Sequence, residues 1–238
     1  MSNAIRVASA FVASLACVYG LALFAAARKE LAPVSRASLC VTEGEVGEAS
    51  GGRLAVNSSK MRAYFDAFTA PVAEMDFTYL GSTGNEARLG SGELRRQLGL
   101  KLRAADACNL VYVMWRIEPE SKLVVSIKSN PGQHTSAECA NRGYRNIKPA
   151  RSKPVPPLVP GAQHTLRAEM NGGSLTVFAD GVNVLDGDLG ADALAFDGPI
   201  GMRSDNAKLE LRLLAEPPDA NATKSRGTPG CKADAGEP

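Results

Sequence analysis

The chain has 238 residues, enough for one all-β domain of about 160 to 180 residues with additional terminal segments. Its formal net charge of +2 at pH 7 is small, and no basic stripe alternates with aromatic residues, so nucleic acid is excluded as an expected partner. Aromatic residues make up only 5% of the chain. Few exposed rings are therefore expected to be available for stacking on a ligand.

An uncharged apolar run extends over residues 7–27 and is flanked on both sides by basic residues. The run is long enough to cross a bilayer as a helix. Its small-residue end is also compatible with cleavage of a signal peptide. We expect residues 1–29 to form a membrane anchor or a signal segment, and the length of the run favours the anchor.

Two further segments are of low complexity and are predicted to lie outside the folded domain. Residues 30–52 include Glu43, Glu45 and Glu48 among Gly, Ser and Ala, which predicts a solvated acidic linker. Residues 216–238 are rich in Pro, Ala, Gly and Lys, which predicts a disordered tail. The folded domain is therefore expected at residues 53–215.

Within this domain, apolar and polar residues alternate in short segments, as is typical of half-buried strands. Residues 61–68 fit either a short helix or a strand. Residues 110–117 are apolar on both faces, which predicts a central strand covered on both sides. The further strands are predicted at 73–79, 98–102, 123–127, 166–170, 175–179, 182–185, 200–203 and 207–214.

The clearest turn signals lie in residues 163–188. Asn171-Gly172-Gly173 and Asp180-Gly181 separate segments that alternate between apolar and polar residues. These residue types accept the positive φ that a tight hairpin turn needs. The sequence therefore predicts an antiparallel β-meander here.

One of the five cysteines lies in the apolar run, and the other four form an even set. Together with an export signal, this set predicts two disulfides. Cys108 with Cys139 is the preferred pair, because that bond closes a loop over the long polar excursion at 130–161; Cys40 with Cys231 would tie the flanking segments. The domain is then expected on the extracytoplasmic side, membrane-anchored or secreted, whereas four free thiols in the cytosol are the alternative.

The segment GPIGMRSDN at 198–206, preceded by RAEMNGGSLTVFADG at 167–181, resembles the concanavalin A-like lectin/glucanase superfamily. The closer likeness is to laminin G-like and 3-keto-disaccharide hydrolase-like domains of exported bacterial proteins. The resemblance implies a two-sheet antiparallel jelly-roll sandwich, a fold that hosts enzymes, lectins and adhesive modules. The E-x-D-x-E glucanase signature is absent. We therefore expect a non-catalytic binding or structural module, with a saccharide-acting hydrolase as the alternative.

Six polar residues are candidates for ligand binding. They are Arg203, Asp205, Asn206, Asn130, His134 and Tyr144. The first three lie at the end of the predicted strand at 200–203, where they would contact a sugar at the rim of the sandwich. Alternatively, Arg203 would pair with a carboxylate such as Asp186 or Glu169, and Asp205 and Asn206 would form a turn. The other three lie on the excursion at 130–161, which would be either a binding loop or a cover over the sheet.

Three aspartates spaced around Gly190 are candidates for a calcium loop. They are Asp186, Asp188 and Asp192. Oxygen-rich loops bind calcium, and the resemblance to laminin G-like domains implies the same chemistry, while turn capping is the alternative interpretation. No other cofactor is predicted. The expected partners are the membrane, through the N-terminal helix, and either a carbohydrate or an envelope protein, with glycan favoured by the resemblance.

Overall fold

The structure is a computed structural model that describes residues 30–65, 69–217 and 231. The predicted anchor or signal at residues 1–29 lies outside this part of the chain, as does most of the predicted tail. No helix among the described residues has the length and apolar character needed to span a bilayer.

The described residues form sixteen strands and two one-turn α-helices, so the expectation of an all-β domain is confirmed. The strands are β1 (Ala32–Pro33), β2 (Leu39–Glu43), β3 (Gly47–Ala49), β4 (Arg53–Val56), β5 (Lys60–Phe65), β6 (Val72–Ser82), β7 (Arg96–Leu102), β8 (Leu110–Glu118), β9 (Lys122–Lys128), β10 (Tyr144–Asn146), β11 (Arg151–Ser152), β12 (Gln163–Asn171), β13 (Ser174–Ala179), β14 (Val182–Asp188), β15 (Gly201–Asp205) and β16 (Ala207–Ala215). The helices are α1 (Ser136–Cys139) and α2 (Ala191–Leu194).

The strands pair antiparallel in two sheets. The nine-stranded sheet has the order β11-β14-β13-β12-β6-β16-β4-β3, and β1 also pairs with β16. The seven-stranded sheet has the order β10-β9-β8-β7-β15-β5-β2. Buried apolar residues from both sheets form one continuous core cluster, so the sheets pack face to face as the predicted sandwich.

Strand β8 shows how the sequence pattern positions the core. Its inward set is Val111, Val113 and Trp115, which belong to the core between the sheets. Its outward set is Leu110, Tyr112 and Met114, which form a separate small cluster on the other face. Trp115 is fully buried and its ring meets that of Phe77 edge-on at 5.9 Å. The expectation of a central strand covered on both faces is confirmed.

The predicted meander is formed by β12, β13 and β14. Gly172, in the turn between β12 and β13, has a φ of 57°. In the next turn Asp180 and Gly181 have φ values of 50° and 77°, the combination that a type I′ hairpin requires. The turn residues thus fix the register of the three strands.

The structure corrects the expectation that residues 30–52 form a linker. They contribute β1 and β3 to the nine-stranded sheet and β2 to the seven-stranded sheet. Val34, Leu39 and Val46 from this segment are buried in the core. Because β2 and β3 are short strands at sheet ends, their composition does not show the alternation of a longer strand. The segment at 61–68, which fitted a helix or a strand, contains strand β5, and residues 66–68 are not described.

Two disulfides are present, with the pairing preferred from the sequence. Cys108 and Cys139 are joined with a Cα–Cα distance of 5.8 Å. Cys40 of β2 is joined to Cys231 with a Cα–Cα distance of 5.2 Å. The first disulfide ties the excursion at 130–161 to the domain. That excursion contains α1, β10 and β11.

Candidate functional site

The outer face of the seven-stranded sheet is polar, although loops bury most of it. The strand register places side chains of β8, β7, β15 and β5 in rows across this face. One row contains Met114, Gly99, Arg203 and Arg62. The neighbouring row contains Arg116, Gln97, Asp205 and Lys60. Residues more than a hundred positions apart in the chain are therefore neighbours here.

Asp205 is the centre of a buried polar network on this face. One oxygen of its carboxylate accepts a hydrogen bond from Nη2 of Arg62 at 2.6 Å. The other oxygen accepts from Nε2 of Gln97 at 2.6 Å and from Nε of Arg203 at 3.0 Å. Burial raises the pKa of the Asp205 carboxyl, but the charges of Arg203 and Arg62 and the hydrogen bonds outweigh burial and lower the pKa to about 2. The ionised carboxylate holds three strands together.

A series of cation–π and ring-stacking contacts extends from this network towards solvent. The guanidinium carbon of Arg203 lies 5.0 Å from the centre of the Tyr112 ring. The ring of Tyr112 stacks on that of Tyr144, with a centroid distance of 6.1 Å and an angle of 22°. Nζ of Lys128 lies 5.2 Å from the centre of the Tyr144 ring. Tyr112 is buried and Tyr144 is 36% exposed, so the stack presents one supported ring to solvent.

A groove of about 220 Å³ lies on this face beside the exposed ring. Its lining combines two tyrosine rings, apolar side chains, amides, hydroxyls and charged groups. The lining residues are Leu89, Ser91, Glu93, Arg95, Gln97, Tyr112, Met114, Ser126, Asn141, Tyr144, Asn146 and Arg203. A groove of this kind offers an apolar surface for stacking together with several hydrogen-bond donors and acceptors.

Asn206 secures one wall of the groove from below. Its Oδ1 accepts a hydrogen bond from the backbone N–H of Ala87 at 2.8 Å. Its Nδ2 donates to the carbonyl oxygens of Ala87 at 2.8 Å and Arg95 at 2.9 Å. These bonds hold the loop at 83–95, between β6 and β7, which supplies four of the lining residues.

The structure therefore corrects the expectation that Asp205 and Asn206 contact a ligand at the rim of the sandwich. Both side chains are fully buried. Asp205 belongs to β15, which lies inside the seven-stranded sheet between β7 and β5, and Asn206 lies under the loop at 83–95. Arg203 is also largely buried, but it lines the groove and pairs with Asp205 rather than with Asp186 or another remote carboxylate. Of Arg203, Asp205 and Asn206, Arg203 is the one that lines the groove.

Asn130 and the nearby disulfide support the opposite wall. Nδ2 of Asn130 donates to the carbonyl oxygens of Cys108 at 3.2 Å and Arg142 at 3.1 Å. The Cys108–Cys139 disulfide ties the same loop two residues before Asn141, which lines the groove. Asn130 thus positions the wall that ends in Tyr144, and it is not itself a lining residue.

His134 is not brought to the groove. Its side chain is 70% exposed, and its Nδ1 lies 2.8 Å from Oδ2 of Asp106. The hydrogen bond with Asp106 and the charge of that carboxylate raise the pKa of His134. The residues that line the groove do not include His134. Of the three predicted residues on the excursion, Tyr144 alone lines the groove.

The three aspartates considered as calcium ligands are engaged separately. Asp186 and Asp192 form ion pairs of 3.4 and 3.3 Å with Arg151 and Arg145, respectively. Asp188 accepts the backbone N–H of the residue two positions later at 2.6 Å. No group of three His, Cys, Asp or Glu side chains arranged to hold a metal ion occurs within the described residues. Asp188 therefore caps a turn, as the alternative interpretation predicted, whereas Asp186 and Asp192 form ion pairs.

Several groove residues were not identified from the sequence. Tyr112 could have been found, because its two-residue spacing from Leu110 and Met114 defines a second face of β8. Arg95, Gln97, Asn141 and Asn146 carry no local signal. They lie at strand ends and in loops whose proximity depends on the order of strands in the sheet.

Solved structures show what this architecture resembles. The chain is similar to carbohydrate-binding module CBM66 from Bacillus subtilis, with a TM-score of 0.51, 15% sequence identity, and coverage of 73% of this chain and 91% of that chain. It is also similar to the carbohydrate recognition domain of Emp46p in its metal-free form, with a TM-score of 0.51, 10% identity, and coverage of 77% and 90%. A putative glycosyl hydrolase from Parabacteroides distasonis aligns with a TM-score of 0.49, 13% identity, and coverage of 78% and 98%.

No protein-family model and no curated protein matches the chain. The two similarities with TM-scores of 0.51, at these low identities, show the fold. The chain has the concanavalin A-like, galectin-like jelly-roll fold that the motifs at 167–181 and 198–206 resembled.

Proposed function

We propose that the chain is a non-catalytic glycan-binding module whose ligand lies in the groove against Tyr144. The observation that carries this proposal is the Tyr144 ring, 36% exposed and stacked on a buried ring inside a groove lined with amides and hydroxyls. The apolar face of a sugar stacks on such a ring, while Ser126 and Asn146 offer partners for sugar hydroxyls.

The support beneath the groove strengthens this proposal. Asp205 fixes Arg203, which in turn packs on the Tyr112 ring under Tyr144. Asn206 fixes the loop at 83–95. A site whose side chains are already held in place loses little conformational entropy on binding, which favours recognition of a weakly held ligand such as a sugar.

The similar structures support the same ligand class. CBM66 is named as a carbohydrate-binding module and the Emp46p domain as a carbohydrate recognition domain. Both share this fold with the chain, and we infer a carbohydrate ligand here from the fold and the groove together.

We further propose that the module acts outside the cytoplasm, at the cell envelope. The two disulfides support an oxidising compartment. The apolar run at 7–27, which would serve as an anchor or signal, lies outside the described residues. Cell fractionation with an antibody against the chain tests this location, and recovery of the protein with four free thiols in the cytosolic fraction contradicts it.

The binding proposal is tested by screening the full-length chain on a glycan array and measuring the best ligand by calorimetry. Tyr144→Ala is expected to lower the affinity about tenfold or more, the effect of losing a central aromatic contact. Tyr144→Phe keeps the ring and should retain most of the affinity. Phe178→Ala, an aromatic truncation on the nine-stranded sheet, is the matched control and should leave the affinity unchanged. Equal affinity of Tyr144→Ala and the wild type contradicts the proposal.

The alternative, hydrolysis of a saccharide, requires two carboxyl groups on either side of the bond that is cleaved. Glu93 supplies the one carboxylate among the described residues that line the groove, and this carboxylate is paired with Arg95. Asp205 lies beneath the groove, fully buried and bonded to three side chains. This arrangement supports binding. Release of reducing sugar from a bound glycan, lost in Glu93→Gln, would instead establish the hydrolase.

A further inference from the structure

Two further depressions adjoin the groove near the end of β8. Arg95 lines the groove and both depressions. The depressions have volumes of about 300 and 370 Å³ and share Leu94 and Pro119 as apolar lining residues. Leu94 is 48% exposed, so the rim of this region is partly apolar. A ligand that occupies the groove can therefore extend past Arg95 to the end of β8.

The charged residues around these depressions are mostly neutralised in pairs. Arg95 pairs with Glu93. Lys122 pairs with Glu120 at 2.6 Å. Arg96 pairs with Glu118 at 2.6 Å and also with Glu86. Arg116 takes part in none of these ion pairs, although it lines the depression of about 300 Å³ together with Glu120 and Lys122.

Arg116 is a half-buried cation with an unused donor. Its Nε is buried and has no hydrogen-bond partner among the residues that the structure describes. Burial, followed by the positive charge of Arg95, lowers the pKa of Arg116. The carboxylates of Glu93 and Glu120 offset only part of this effect. A guanidinium that has lost part of its hydration, and whose charge is only partly balanced by nearby carboxylates, is stabilised by an incoming anion. The side chain thus has the electrostatic character of an unfilled anion site.

We propose that Arg116 accepts an anionic substituent of the saccharide, a carboxylate or a sulfate, so that the module selects acidic over neutral glycans. This inference rests on the proposed function and adds the ligand's chemical class. The planar guanidinium fork matches the paired oxygens of either group and holds them by charge-assisted hydrogen bonds. Lys122, the register neighbour of Arg116 on β9, lines the same depression, where it is paired with Glu120.

The geometry also sets the size of the ligand. Tyr112 and Arg116 lie four positions apart on the same face of β8, about 13 Å along the strand. This span exceeds a single sugar ring. A sugar stacked on Tyr144 and an anionic group at Arg116 must therefore belong to different units of one oligosaccharide.

The experiment compares glycans that differ only in charge, using the full-length chain and calorimetry. The probes are an oligogalacturonide with its methyl ester, and a carrageenan oligosaccharide, whose charges are all sulfates, with its neutral desulfated form. We expect the charged member of one pair to bind about tenfold or more tightly, and the pair that shows this identifies carboxylate or sulfate as the recognised group. Raising the salt concentration should weaken binding of the charged member only.

Variants of Arg116 then test whether this residue causes the preference for charged glycans. Arg116→Gln should abolish the preference for the charged glycan and leave binding of the neutral form unchanged. Arg116→Lys keeps the charge without the fork and should retain part of the preference. Arg151→Gln removes an exposed arginine from the nine-stranded sheet and is the matched control, expected to have no effect. A thermal melt of each variant shows whether its fold is intact.

The outcomes separate this inference from the proposed function. Equal binding of charged and neutral forms, or a preference that survives Arg116→Gln, overturns the inference while glycan binding through Tyr144 stands. Equal binding of a polyglutamate peptide also overturns it, because charge alone would then explain the preference. Absence of binding to any glycan on the array overturns both.

Discussion

Arg62 and Asp205 form an ion pair of 2.6 Å between neighbouring strands of one sheet, and both side chains are almost completely shielded from solvent. They are 143 positions apart in the chain. Arg203 and Gln97 complete the partners of the same carboxylate. The floor of the groove therefore combines a buried ionic network with apolar side chains.

Asp205→Asn is expected to destabilise the fold by about 3 kcal/mol, because two buried guanidinium groups lose their counter-charge. Urea unfolding followed by circular dichroism measures the difference. Asp192→Asn, which removes an exposed partner of Arg145, is the control and should change the free energy of unfolding by less than about 1 kcal/mol. Similar losses in the two variants would contradict a special role for the buried pair.

The same carboxylate predicts a pH dependence of stability. The pKa of Asp205 falls from an ordinary value of 3.8 to about 2 in the folded protein. The ionised group therefore stabilises the fold fully above about pH 4, and this contribution is lost as the pH falls towards 2. Wild-type unfolding free energy should decrease more steeply across this window than that of Asp205→Asn. Parallel profiles for the two proteins would show that Asp205 titrates normally.

Gly99 is predicted to be required at the groove floor, where it lies opposite Met114 in register. A Cβ at this position would collide with the carbonyl oxygen of Val113 and approach the sulfur of Met114 to 2.9 Å. Gly99→Ala should cost about 1 to 3 kcal/mol of stability. At Gly47 the nearest atom would be 3.9 Å away, so Gly47→Ala should be neutral or slightly stabilising by thermal melting. A neutral Gly99→Ala would mean that β7 and β8 separate without cost.

The two disulfides are predicted to differ in their effect on binding. The Cys108→Ser/Cys139→Ser double variant removes a link across 31 positions and should lower stability by about 3 to 4 kcal/mol. It should also weaken glycan binding, because the disulfide holds Cys139 in place and Asn141, two positions later, lines the groove.

The Cys40→Ser/Cys231→Ser double variant is the matched control for this experiment. Strand β2 lies at the opposite end of the seven-stranded sheet from β10, so this variant should bind glycan normally while losing stability. Equal loss of binding in the two double variants would exclude a local role of the Cys108–Cys139 bond. Mass spectrometry without reduction verifies the pairing in each protein.

The sequence predicted the long strands well, because their patterns are local. The alternation in β6 and the two apolar faces of β8 follow from side chains that point to opposite sides of a strand. Gly172 and the Asp180-Gly181 pair adopt the positive φ that their residue types permit. Residues 30–52 were misjudged as a linker, since short strands at sheet ends have few buried residues and depend on their neighbours for stability.

The sequence by itself determined that the chain is all-β and has two-residue turns. It also supplied the four cysteines that form the two disulfides. Only the tertiary structure decided which side chains meet at the groove. Arg203 was predicted to pair with a remote carboxylate at the rim, yet strand order placed Asp205 and Tyr112 against it. Alternation specifies which face a side chain occupies, but the partner across that face is set by which strands pair and in what register.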